Sequence, residues 1–138
     1  MDNAQPADVV SLTRAQAAIV VACGAALWFA GIFQIRWVAG LGALGDGRTP
    51  LVYALIVAAT APVVALVPHV LGLPRAARLH CSAIMAATAA LLDGIAVRWT
   101  DWYAADPRVV AQSAATLLWA IGVAVALGCV MAQGPARR

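Results

Sequence analysis

Four stretches of this chain are apolar for about twenty residues at a time, and each is closed at both ends by arginine. They cover residues 15–35 between Arg14 and Arg36, 51–73 between Arg48 and Arg75, 79–97 between Arg78 and Arg98, and 109–132 between Arg108 and Arg137. A helix rises 1.5 Å per residue, so about 20 apolar residues cross the hydrocarbon of a bilayer. No water is available there to satisfy backbone N–H and C=O groups, so each stretch must close its own hydrogen bonds as a helix. Of all residues, 64% are hydrophobic and 11% charged, against roughly 45–50% and about 25% in soluble domains. The pattern predicts a single membrane domain over residues 1–138. It is an all-α four-helix transmembrane bundle, up-down-up-down, with short loops and short tails at 1–13 and 133–138.

The connections carry turn chemistry. Residues 40–50 (GLGALGDGRTP) form a glycine-rich turn, and residues 72–78 (GLPRAAR) a tight one with Pro74 as a helix stop. In residues 100–108 (TDWYAADPR), Asp106 followed by Pro107 announces a helix start: a capping side chain, then a residue suited to the first helical position. Connections this short predict that sequential helices pack as antiparallel neighbours.

All basic residues are Arg and all acidic ones Asp, and the net charge of +3 comes from arginines at the ends of apolar runs. That placement fits anchoring at lipid headgroups and not a nucleic-acid surface. One side of the membrane would hold Arg14, Arg75, Arg78, Arg137 and Arg138, the other Arg36, Arg48, Arg98 and Arg108. The slight excess places both termini in the cytoplasm of a bacterial inner membrane. Trp37, Trp99, Trp102 and Tyr103 then form an aromatic belt at the outer interface. The bilayer is the expected partner, with a homo-oligomer or another membrane protein as further candidates.

Two motifs are decoys. VVAC at 20–23 looks like a lipoprotein cleavage box, but the apolar stretch continues to Ile35 instead of turning polar. GLGALG at 40–45 matches the dinucleotide fingerprint letter for letter, yet no strand precedes it and no βαβ unit contains it. Cys23, Cys81 and Cys129 are odd in number and unpaired in spacing, so neither a disulfide framework nor a zinc site is indicated. His69 and His80 lie near span ends without ligand spacing. No cofactor, metal or catalytic set is expected.

In lipid, helices associate through close packing of small residues. Ala18, Ala22, Ala26 and Ala30 recur at four-residue spacing in the first helix. Ser82, Ala86, Ala90 and Gly94 do so in the third, and Thr116, Ala120, Ala124, Gly128 and Ala132 in the fourth. Pro62 and Pro68 interrupt the second, as a passive bend or as a hinge beside a cavity. Trp28 and Trp119 lie deep within the first and fourth spans, where their N–H groups want partners.

Asp93 is the residue that does not suit oil. It shares a helical face with Ala86, Ala89 and Ala90, so it points inward. A charge at the bilayer centre costs at least about 2.5–3.5 kcal/mol, and less near an end. Arg36 lies five helical turns beyond Ala18 and toward the same membrane face as Asp93, which predicts an Arg36–Asp93 interhelical pair; Arg98 is the rival partner. The pair is read either as a clasp fixing helix order or as a protonatable, ligand-binding centre in a pocket. Gln34, Thr60, His69 and Ser82 are the other polar groups that such a pocket could use.

Three short motifs add a resemblance: Gln34-Ile35-Arg36 ending the first helix, Leu91-Leu92-Asp93 followed by an aromatic outer loop, and Leu117-Leu118-Trp119 in the fourth. From Gly24 onward the chain resembles a group of small bacterial four-span proteins known only as a domain of unknown function. The chain departs from that group in lacking Phe before Arg36 and Pro-Gly-Met before Leu91. The resemblance implies the four-span architecture and the Arg/Asp pair, and names no reaction. The expectation is a non-enzymatic bundle, an accessory or assembly protein, with a small oligomeric proton-coupled transporter using Asp93 as the alternative.

Overall fold

The computed structural model describes residues 12–44, 47–104 and 106–133. The outer parts of both tails, with Arg137 and Arg138, and the loop residues Gly45 and Asp46 lie outside the described residues. Four helices result: α1 (Arg14–Gly40), α2 (Thr49–Val70), α3 (Arg75–Trp99) and α4 (Pro107–Ala132). All four are long and apolar enough to cross a membrane. The protein is a four-helix bundle of the multi-pass membrane type.

Local chemistry sets the helix ends. Thr13 caps α1 with a reciprocal pair: its hydroxyl accepts from the Gln16 N–H at 3.2 Å, and its own N–H donates to Gln16 Oε1 at 3.0 Å. Arg36 and Trp37 do not break the helix, so α1 runs to Gly40, beyond the expected Ile35. It stops where Gly42 takes φ +64°. The Gly42 N–H then donates to the Ala39 carbonyl and the Ala43 N–H to the Val38 carbonyl, satisfying the last orphan acceptors. The same closure ends α2 at Gly72 (φ +61°), with the Leu73 N–H donating to the Pro68 carbonyl. Residues 71–73, expected inside the second span, are therefore its exit turn. Gly42 of the fingerprint-like motif serves a helix stop. Asp106 caps α4 as expected, its carboxylate accepting from the Arg108 N–H at 2.8 Å, with Pro107 as the first helical residue. α2 runs through Pro62 and Pro68 without a break.

Clusters at the two ends show the alternating direction. Ile35 and Val38 of α1, Val52 of α2, Ala96 of α3 and Tyr103 meet at one end. Val20, Leu73, Ala77 and Cys81 meet at the other. The packing order departs from the expectation for short connections. α3 packs extensively on both α4 and α1, and α4 packs on α2, whereas α2 touches α1 and α3 only slightly. Around the bundle the order is α1, α3, α4, α2, with an open seam between α1 and α2. The short connections after α1 and after α2 hold the helix ends together without forcing contact along the helix length.

Two glycines explain the tight contacts. A Cβ at Gly24 would lie 2.8 Å from the Met85 carbonyl oxygen, so α1 approaches the backbone of α3 there. At Gly128 a Cβ would overlap the Ser82 side chain, where α4 meets α3. The stripe on α4 is thus a packing stripe, and that on α3 is buried at Ser82 and Ala86 but exposed at Gly94. The stripe on α1 is not: Ala18, Ala22, Ala26 and Ala30 are all exposed, and the inward face runs through Val20, Gly24 and Ile35. Alanine sits on every face of this helix, so spacing alone did not mark the packed one.

Gly24→Ala is expected to lower stability by about 1–3 kcal/mol through overpacking against backbone that has little room to move. Gly31→Ala, with no atom within 4 Å of the new methyl group, is expected to leave it unchanged or raise it by about 0.5–1 kcal/mol. Reversible unfolding in detergent measures both.

Candidate functional site

α3 is the least apolar of the four helices and the most buried, and it carries Asp93 on its inward face. The residue is 8% exposed and, with Ala86 and Ala89, lines a cavity of about 290 Å³ to which all four helices contribute. Its partner is Tyr103, whose hydroxyl donates to Asp93 Oδ1. Tyr103 belongs to the loop between α3 and α4 but is folded inward until only 4% exposed. Burial, and then the hydrogen bond to Asp93, push its phenol well above the usual tyrosine range. It therefore keeps its proton at neutral pH and remains a donor.

Trp28 of α1 sits against the same pair. Its Nε1 is buried and has no hydrogen-bond partner among the described residues. Its ring packs on Trp102, centroids 5.7 Å apart. Of the expected aromatic belt, Trp37, Trp99 and Trp102 are exposed. Tyr103 is not, and its role with Asp93 was missed. The only sequence signal for it was its closeness to Asp93, ten positions on, across a loop short enough to fold back.

The expected Arg36–Asp93 pair is replaced by a different arrangement. Arg36 is exposed, and its Nη1 donates to the Trp102 carbonyl at 3.3 Å. The reason is the helical phase already seen. Arg36 shares the helical face of Ala18, five turns before it, and both are exposed. Arg98, the rival, is exposed on the outer side of α3. Arg36 thus binds the loop residue next to Tyr103, so the two expected partners are joined through the loop and not directly.

The other candidates divide. Gln34 and Thr60 line the cavity with Asp93, as does Thr116 of α4, which had been read only as a packing residue. Thr116 spends its proton on the Gln112 carbonyl. Ser82 is buried but away from the cavity, donating to the Leu79 carbonyl beside Gly128. His69 is exposed near the opposite end of the bundle, as is His80. Among the described residues no group of three or more His, Cys, Asp or Glu side chains could hold a metal. The three cysteines are free thiols, Cys81 fully buried.

The cavity exists because small side chains face an unfilled seam. Gly31, Ala59, Ala86, Ala89, Ala120 and Ala124 are all in its lining, and α1 and α2 do not close over it. Among the described residues, Asp93 is the only ionisable side chain in that lining. The arrangement offers a hydrogen-bonding carboxyl at the closed end of an apolar chamber. No family model, curated protein or solved structure matches the chain.

Tyr103→Phe should cost about 1–3 kcal/mol, since it leaves a buried carboxyl without its donor. Arg36→Gln should change stability little, because its one contact is exposed. Chemical denaturation of the two variants in the same detergent checks the contrast; the reverse ranking would restore the ion-pair arrangement.

Proposed function

We propose that this protein is a non-enzymatic integral membrane bundle of the bacterial inner membrane, both termini cytoplasmic, whose interior binds a small molecule drawn from the bilayer. The observation that carries this reading is the cavity reaching the buried Asp93–Tyr103 pair. A pair serving only as a clasp needs no space beside it, because a packed neighbour would stabilise it as well. Here about 290 Å³ is left open against the carboxyl, at the low end of the volumes of roughly 300–1,000 Å³ that hold small ligands. The walls supply apolar contact, and Asp93, Gln34 and Thr60 supply the few polar groups that would fix orientation.

The arginine placement supports the orientation, and the four apolar spans support residence in a membrane. A proton-coupled carrier is the second reading. It is favoured by one fact, that the sole ionisable group of the lining is a carboxyl shielded from bulk water. Such groups within spans commonly mark proton or substrate pathways.

Filling the chamber tests the binding reading. Ala89→Phe places a ring where the cavity is and should preserve or raise the melting temperature while abolishing uptake of a neutral probe such as fluorobenzene. Fluorine NMR of the protein in lipid nanodiscs reads the bound population. Uptake unchanged in Ala89→Phe, or absent from the wild type, would refute the reading.

A further inference from the structure

The mouth of the cavity and its polar end together specify what enters. Among the lining residues, Ala30 of α1 and Ala59 of α2 are exposed, whereas Ile56, Val64 and Asp93 are buried. Ala30 and Ala59 both lie within the middle part of their helices. They belong to the two helices that touch each other only slightly. Beside them Gly31 carries no side chain, and nothing lies within 4 Å of where one would begin. The result is a window at mid-depth, flanked by small residues and facing the level of the acyl chains. A molecule using it comes from the hydrocarbon and not from water.

At the inner end the charge is one-sided. No Arg, Lys or His lines the cavity. The two nearest arginines in sequence and level, Arg36 and Arg98, are exposed, and Arg36 is held by the Trp102 carbonyl. Tyr103 gives Asp93 one hydrogen bond, while a carboxylate can accept several. The Trp28 ring lines the cavity next to it. A carboxylate beside an aromatic face, set in apolar walls, is complementary to an organic cation with an apolar body.

We propose that the cavity takes a lipophilic monocation, a substituted ammonium on a small aromatic or branched alkyl body, which enters sideways from the bilayer between α1 and α2 and seats its charge against Asp93 and Trp28. This rests on the reading of the cavity as a ligand site. The contact set explains why the carboxyl lacks a cation of its own: an internal arginine would occupy the position the ligand uses. It also explains why the seam is lined with alanine and glycine, where larger side chains would close it.

The test compares two probes of one shape, benzyltrimethylammonium and its uncharged carbon analogue neopentylbenzene, on the whole protein in lipid nanodiscs. The wild type is expected to bind the cation at least about tenfold more tightly, through attraction to the Asp93 carboxylate and to the Trp28 ring, since a quaternary ammonium has no N–H to donate. Asp93→Asn, which retains an acceptor for Tyr103, should lose that preference while still binding the neutral probe, so that neutral binding reports the fold. Trp28→Leu should weaken the cation more than its neutral analogue. Ala30→Leu combined with Ala59→Leu should slow association severalfold. Equal binding of both probes by the wild type overturns the cation assignment and leaves the ligand-site reading standing. Binding of neither overturns both. Unaltered association kinetics in the double leucine variant overturns the lateral route.

Discussion

A carboxyl group placed among hydrocarbon must find a donor or a cation, and in this protein it finds a phenol. The Tyr103 hydroxyl donates to Asp93, and much of one end of the bundle is arranged around that bond. To reach it, the loop after α3 folds inward and not away into solvent. Trp102 is thereby laid on Trp28, and its carbonyl becomes available to Arg36. The end of α1 and the end of α3 are so tied through two consecutive loop positions, Trp102 and Tyr103, and among the described residues no ion pair crosses the interior. The cost of burying a polar group is met by a neutral donor, which avoids the larger desolvation of two opposed charges.

The space beside the bond follows from a second constraint. Helix association in lipid depends on close backbone approach, and this chain achieves it at two places: Gly24 against Met85, and Gly128 against Ser82. Both contacts use α3 as the hub. α2 has no such glycine and is held mainly by α4, with Tyr53 stacked on Trp119 at 5.2 Å. The ring of helices is therefore tight on three sides and loose on the fourth. Small residues of α3 and α4 facing the loose side, Ala86, Ala89, Ala120 and Ala124, leave room that larger residues would have filled. Small residues that permit contact in one part of the bundle create a chamber in another.

Much of this was legible from residue order, and what was not has a common physical cause. Arginine-bounded runs located the spans, and Asp106–Pro107 marked the start of α4. The face of Asp93 was correct because its neighbours Ala86 and Ala89 are inward too. The inward face of α1 was mistaken. In water a helix announces its buried side by an apolar stripe, but in lipid both sides are apolar, and α1 carries alanine all round. The single residue that fixed the phase, Gly24, stood outside the repeating alanine pattern. Arg36 was turned inward by the same error. Tyr103 was assigned to the interface because interfacial tyrosines are common, and nothing local distinguishes one that folds back onto a carboxyl. The helix order was hidden for a related reason. A short loop fixes which ends adjoin, and the glycine contacts decide which lengths pack.

The most direct check on this picture is a pair of double-mutant cycles on unfolding free energy in detergent, one for Asp93→Asn with Tyr103→Phe and the other for Asp93→Asn with Arg36→Gln. The account predicts a coupling of about 0.5–3 kcal/mol for the aspartate–tyrosine cycle and none for the aspartate–arginine cycle. Coupling to Arg36 with independence from Tyr103 would contradict it.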